Sequence, residues 1–147
     1  MTDKDNLIFS LKAFFNENAK ETIEMAFLYG SWASGYPRED SDVDLAVLFL
    51  AELLSDDEIF NIITDISYNL SSKINKEVNI LPIYRDFRKP MVYYNAIVLG
   101  VPVYIKDFEK YVSLKNQAIY QMEDFNIFGV QWQLEITHRN LEALQYA

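Results

Sequence analysis

Two β-forming runs, Met25-Ala26-Phe27-Leu28-Tyr29 and Val43-Asp44-Leu45-Ala46-Val47-Leu48-Phe49, bracket a short polar stretch, a pattern that demands two strands joined by a functional-looking connection. The first run stops at Gly30-Ser31, and the second opens inside Asp42-Val43-Asp44. Strand side chains alternate between faces, so Asp42 and Asp44 project to one side, about 6.6 Å apart along the backbone, while Val43 points into the core. Carboxylates at that spacing can converge on one cation. Gly30 permits a tight turn with close backbone approach, and Ser31 brings a hydroxyl and backbone N–H groups to a helix start, where phosphate is favoured. An Asp-x-Asp alone is usually a pair of solvated acids, and Gly-Ser alone is usually a turn. Their conjunction between two strands is read as a metal–nucleotide site, in which Gly30, Ser31, Asp42 and Asp44 bind the nucleotide and Asp42 and Asp44 the metal.

The rest of the chain supplies the surrounding elements. Leu7, Ile8, Leu11, Phe14 and Phe15 recur at helical spacing and predict an amphipathic helix ending near Asn18. Ser31-Trp32-Ala33-Ser34 forms a short helix stopped by Gly35-Tyr36-Pro37, and Arg38-Glu39-Asp40-Ser41 is a solvated loop. Ser55-Asp56-Asp57-Glu58 is a capping box for a helix that buries Ile59, Phe60, Ile62, Ile63, Ile66 and Leu70 and ends near Ser72. Val78, Ile80, Leu81 and Ile83 mark a third strand, with Glu77 and Asn79 on one face. Pro90 starts a helix through Met91, Tyr94, Ile97 and Val98, Gly100 stops it, and Val101–Ile105 returns as an edge strand. From Phe108 the pattern is helical. Leu114, Ile119, Met122, Phe125, Ile127, Trp132, Leu134, Ile136, Leu141 and Leu144 give this tail more apolar weight than one exposed helix carries, which assigns part of it to a partner. The expected fold class is α/β (α+β): a small mixed sheet flanked by helices, one domain over 1–147, with a core at about 20–105 and a helical C-terminal arm at about 107–147.

Composition narrows the function classes. With 13 Lys and Arg against 22 Asp and Glu, the formal charge of -9 repels a phosphate backbone and leaves no basic stripe, so no direct nucleic-acid contact is expected. The chain has no cysteine, which rules out disulfides and thiolate metal sites. Its polar, acidic start is unlike a signal peptide, and no apolar run reaches membrane-spanning length; the expected location is cytoplasmic, with no membrane contact.

Gly30-Ser31-Trp32-Ala33-Ser34-Gly35 through Ser41-Asp42-Val43-Asp44-Leu45 resembles the signature of the DNA polymerase β-like nucleotidyltransferase superfamily, and within it the minimal nucleotidyltransferase (MNT) antitoxins. The likeness continues through Glu77-Val78-Asn79-Ile80-Leu81 and Ala96–Tyr104, covers roughly residues 24–105, and extends loosely into the tail. This resemblance implies the polymerase β-like fold, Mg2+ as cofactor, ATP as substrate, and a HEPN-domain ribonuclease toxin as partner in a hetero-oligomer. Members neutralise the toxin by transferring AMP to one of its tyrosines. The catalytic set so implied is Asp42 and Asp44 with the later-strand positions Glu77 and Asn79, of which Asn79 stands where the family places a third aspartate. An amide is no general base, and Glu77 starts about 6.6 Å further off with only about 1.5 Å of extra reach. Losing a positioned base costs roughly 10² to 10⁴ in rate, a loss softened by a phenol acceptor of pKa about 10. Ser34 replaces an arginine common among relatives, and Arg38 is the loop cation placed to compensate.

Other candidates have simpler readings. His138 has no second histidine or cysteine to share a metal and is assigned to surface or interface packing. Arg85, Arg88 and Lys89 are read as solvated loop charge, and Tyr93, Tyr94, Tyr104, Tyr111 and Tyr120 as core aromatics; Trp32, beside Ser31, is placed at the pocket mouth. Two alternatives stand beside AMP transfer: neutralisation of a toxin by binding alone, and transfer to a small hydroxylated molecule, which would need a larger acceptor domain. A homo-oligomer is left open.

Overall fold

The computed structural model describes residues 3–19, 21–35, 41–50 and 55–145, with the backbone alone for 125–137, 140 and 141–145. The elements follow in the order α1 (Asp3–Asn18), β1 (Ile23–Tyr29), α2 (Ser31–Ser34), β2 (Val43–Phe49), α3 (Asp56–Ile74), β3 (Val78–Pro82), α4 (Pro90–Ile97), β4 (Val101–Ile105) and α5 (Phe108–Gln145). The strands form one mixed sheet in the order β3-β2-β1-β4. β1 is antiparallel to β2 and β4, whereas β2 and β3 run parallel and need the α3 crossover between them. β4 lies at the sheet edge, where Pro102 costs no central ladder bond.

Side-chain alternation sorts the core into two layers. One face packs Ala26, Leu28, Val43, Leu45 and Val47 against α1 and α3 through Leu11, Phe15, Ile66 and Leu70. The other packs Met25, Phe27, Ala46 and Leu48 against α4 and the start of α5 through Tyr93, Ala96, Ile97, Leu114 and Ala118. Both faces of β1 and β2 are therefore buried, which explains why these strands read as near-continuous apolar runs. The α+β architecture is the expected one.

Local signals act as their chemistry predicts, with exceptions. The Ser55 Oγ accepts from the Glu58 N–H at 3.3 Å and opens α3, which runs to Ile74 and ends on Asn75 in the left-handed region (φ 56°). Phe60, expected on the buried face, is 68% exposed; the apolar face of α3 is narrower than its isoleucine content suggested. Gly100 lies two residues past the cap of α4, and it is required by packing rather than by helix termination. A Cβ there would stand 2.2 Å from the Ala96 carbonyl oxygen and 2.7 Å from that of Leu28. The helical tail is the single element α5, 38 residues and about 57 Å long. Its first turns dock on the sheet through Leu114, Ala118 and Tyr111, whose ring stacks on Phe27 at 5.9 Å. The apolar residues from Phe125 on have side chains outside the described residues.

Among the described residues one charge is buried. The register of β1 shifts between Ile23 and Met25, and Glu24 between them is 3% exposed. Its carboxylate pairs with Arg85 at 2.7 Å and Lys110 at 3.1 Å, so the buried charge is satisfied by two cations that themselves stay in contact with solvent, and α5 is tied to the sheet.

Candidate functional site

The site is built where β1 ends and β2 begins. Tyr29, the last residue of β1, is in register with Asp44, and Asp44 with Asn79 of β3, which makes a row of three side chains across the sheet. By alternation this row belongs to the face that carries Ala46 and Leu48. At the end of β1 the chain turns on Gly30, whose φ of 77° and ψ of -152° belong to a region essentially reserved for glycine. Space demands glycine as well, because an added Cβ would lie 2.5 Å from Asp44 Oδ2. The carboxylate therefore packs against the bare backbone of the turn. Gly30→Ala is expected to cost about 2 kcal/mol through strain and to push Asp44 aside, lowering both the thermal midpoint and any activity of the site; unchanged values in both measurements would contradict this packing.

The two acids are brought together. Asn79 Nδ2 donates to Asp42 Oδ2 at 3.3 Å and to Asp44 Oδ1 at 3.4 Å, so one amide nitrogen bridges the pair. Parallel pairing of Val43 with Val78 sets this register, reinforced by the Val43 N–H donating to the Glu77 carbonyl at 2.8 Å. Glu77 contributes that backbone contact and its side chain is exposed. Among the described residues no set of three or more histidine, cysteine or acidic side chains could hold a metal, so Glu77 does not join Asp42 and Asp44 as a third ligand.

Ser31 opens α2, a single turn in which the Ser34 N–H donates to the Gly30 carbonyl at 3.1 Å and the Ser34 hydroxyl to the Ser31 carbonyl at 3.0 Å. Ser34 thus spends its side chain on its own turn. Gly35, at φ 86°, ends the helix as expected. Tyr36, Pro37 and Arg38, with the compensation expected of Arg38, lie outside the described residues.

Trp32 departs from its expected place. It is buried, not at a pocket mouth: its ring packs into the α1–α3 layer, its Nε1–H donates to the Ser41 carbonyl at 3.2 Å, and the Lys76 ammonium sits 4.9 Å from the ring centroid. By holding Ser41, Trp32 fixes the entry to Asp42 from across the motif. Lys4 of α1 adds a second fastening by donating to the Ala33 carbonyl at 2.7 Å. Both supports escaped the sequence reading, although an indole three residues past an apolar strand is a packing signal.

Arg85 is held by Glu24 at the opposite end of β1, about 20 Å along the strand from Gly30. Arg88 is engaged by Asp86 at 3.0 Å and lies over the Tyr84 ring at 3.8 Å. Neither reaches the acid pair. His138 is exposed on α5, and of the five tyrosines assigned to the core, Tyr93 is buried whereas Tyr120 is 67% exposed. Tyr29 was not singled out from sequence. Burial first, and then the Asp44 charge, push its phenol above the ordinary tyrosine value, so beside the acids it remains a protonated hydroxyl.

The donor set fits a hard divalent cation. Two carboxylates brought side by side are oxygen ligands of the kind magnesium accepts, and the Asn79 carboxamide, once turned over, would add its oxygen to them.

Comparison with known proteins bears on the family and the fold. The family model described as "Polymerase beta, Nucleotidyltransferase" matches residues 10–109. No curated protein matches the chain. Among solved structures, a toxin–antitoxin complex with AMP-PNP superposes with a TM-score of 0.64 at 15% identity, over 92% of this chain and 99% of the other. An MNT antitoxin in complex with the tri-AMPylated HEPN toxin of Shewanella oneidensis gives 0.61 at 12% identity, over 91% and 98%. The toxin–antitoxin MntA–HepT gives 0.58 at 14%, over 91% and 97%.

Proposed function

The chain belongs to the polymerase β nucleotidyltransferase family, and from that premise we propose that it is an antitoxin that transfers AMP from ATP to a tyrosine of a HEPN ribonuclease toxin. The observation that carries the reading is the convergence of Asp42 and Asp44 on one amide nitrogen, with Asp44 against the bare Gly30 turn. Gly30 and Ser31 would seat the triphosphate there. Asp42 and Asp44 would hold a magnesium ion, which when bound supplies charge stabilisation at the reacting phosphate. The phenolic oxygen attacks the α-phosphorus, the bond to the bridging oxygen of the β-phosphate breaks, pyrophosphate leaves and the phenol proton passes to water. The toxin as partner is supported by the toxin–antitoxin complexes of similar fold, one bound to AMP-PNP and one holding an AMPylated toxin. No helix among the described residues is long and apolar enough to cross a membrane.

Co-expression of the toxin with the wild type and with Asp42→Ala and Asp44→Ala tests the proposal. Intact mass of the toxin should carry the AMP increment with the wild type only; equal increments in all three refute the mechanism.

Asn79 favours a second reading, neutralisation chiefly by binding, since among the described residues no third carboxylate joins Asp42 and Asp44 to take the phenol proton. In that case Asn79→Asp is expected to raise AMP transfer by about 10² or more, in the range of a restored general base. Transfer rates no faster in Asn79→Asp than in the wild type would count against a missing base.

A further inference from the structure

Resting on the nucleotidyl-transfer reading above, we propose that this chain holds a single divalent cation, which arrives with the triphosphate, because Asn79 places a neutral amide where a second cation would require an anionic ligand.

The amide nitrogen lies 3.3 Å from Asp42 Oδ2 and 3.4 Å from Asp44 Oδ1, so its N–H groups face the acid pair. One donor is thus shared between two like charges. Rotating the carboxamide would present Oδ1 instead, a weaker and uncharged ligand. The protein's anionic contribution is therefore two carboxylates, and among the described residues no third acid, histidine or cysteine joins them. A magnesium-like ion held by one or two carboxylates completes its shell with substrate phosphates. Two ions about 3.5–4 Å apart would each need ligands of their own, and the side chain that faces both carboxylates, Asn79, supplies no further charge for the second. Asn79 is exposed and its register with Asp44 is fixed by backbone pairing, so an aspartate fits the same position without repacking the core.

Equilibrium dialysis of the full chain against Mn2+ and a non-hydrolysable ATP analogue tests the proposal by the excess of each on the protein side. The wild type should retain one manganese per bound analogue, and at least about tenfold less manganese when the analogue is omitted. Asn79→Asp should retain two per analogue and hold manganese at least about tenfold more tightly without it. Asn79→Ala, which removes the amide without adding charge, should stay at one. Two manganese ions per analogue in the wild type, or a count of one with unchanged affinity in folded Asn79→Asp, overturns the single-cation proposal while sparing the nucleotide site. Failure of every protein to retain the analogue overturns the nucleotidyl-transfer reading itself. The wild-type and Asn79→Ala counts decide the matter even where Asn79→Asp does not fold.

Discussion

Nucleotidyl transfer by the Asp42→Ala/Asp44→Ala double variant is expected to fall by a factor of about 10³ or more, equivalent to about 4 kcal/mol of transition-state stabilisation. The fold is expected to survive it. Asp42 is exposed and Asp44 only half-buried, and the core residues of this strand, Val43 and Leu45, face away from the site. What is lost structurally is a pair of long, exposed hydrogen bonds from Asn79 at 3.3 and 3.4 Å, and what is gained is relief of repulsion between two carboxylates sharing one donor. These effects oppose each other, so stability should change by less than about 1 kcal/mol in either direction. Toxin adduct by intact mass and thermal melting by circular dichroism, on the same preparation, separate the outcomes. A variant that melts as the wild type but still modifies its target would remove these acids from the reaction.

The largest effect on stability is expected far from the acids, at Gly100. In Gly100→Ala the new methyl group would be driven against two main-chain oxygens, 2.2 Å from that of Ala96 and 2.7 Å from that of Leu28. Neither is the mobile end of a side chain: one closes the last turn of α4 and the other belongs to central strand β1. Relief requires α4 to lift from the sheet and with it the layer around Tyr93, Ala96 and Ile97. A cost of about 3 kcal/mol or more is expected, a fall in Tm on the order of 10 °C for a chain of this size. Gly35→Ala is the matched comparison. Nothing lies within 4 Å of its added Cβ, so only the left-handed backbone at φ 86° is penalised, by about 1 kcal/mol. Equal melting points for the two variants would show that close approach at Gly100 is not what holds α4 to β1.

The elements were legible in the sequence because their signals are local. Alternation, a capping serine at Ser55, Pro90 at a helix start and a glycine after Ser34 each act through neighbouring backbone geometry. The candidate site was legible for a related reason: Asp42 and Asp44 share a face by strand alternation alone, and Gly30 is a position where a turn and a carboxylate both exclude a side chain. Long-range pairings were less accessible. That Trp32 would reach Ser41 across the motif, that Lys4 would fasten α2, and that Arg85 and Lys110 would meet on Glu24 are contacts between segments separated by up to 86 residues. A charge within an apolar run, as Glu24 is between Ile23 and Met25, was the available hint that a buried ion pair existed, but not of its partners.

The amino-acid order by itself determined which segments become strands and helices, put the two acids on one side of a strand, and set glycine at the bend before them, since each of these depends on dihedral preference and side-chain period within a few residues. Only the tertiary structure decided that β3 lies parallel beside β2, and hence that Asn79 rather than Glu77 faces both carboxylates. The physical reason is register: Glu77 and Asn79 share a face of β3, so a two-residue shift between the strands would set Glu77 opposite Asp44 in place of Asn79, and that register is fixed by the packing of α3 and the two core layers together, not by any local stretch of sequence.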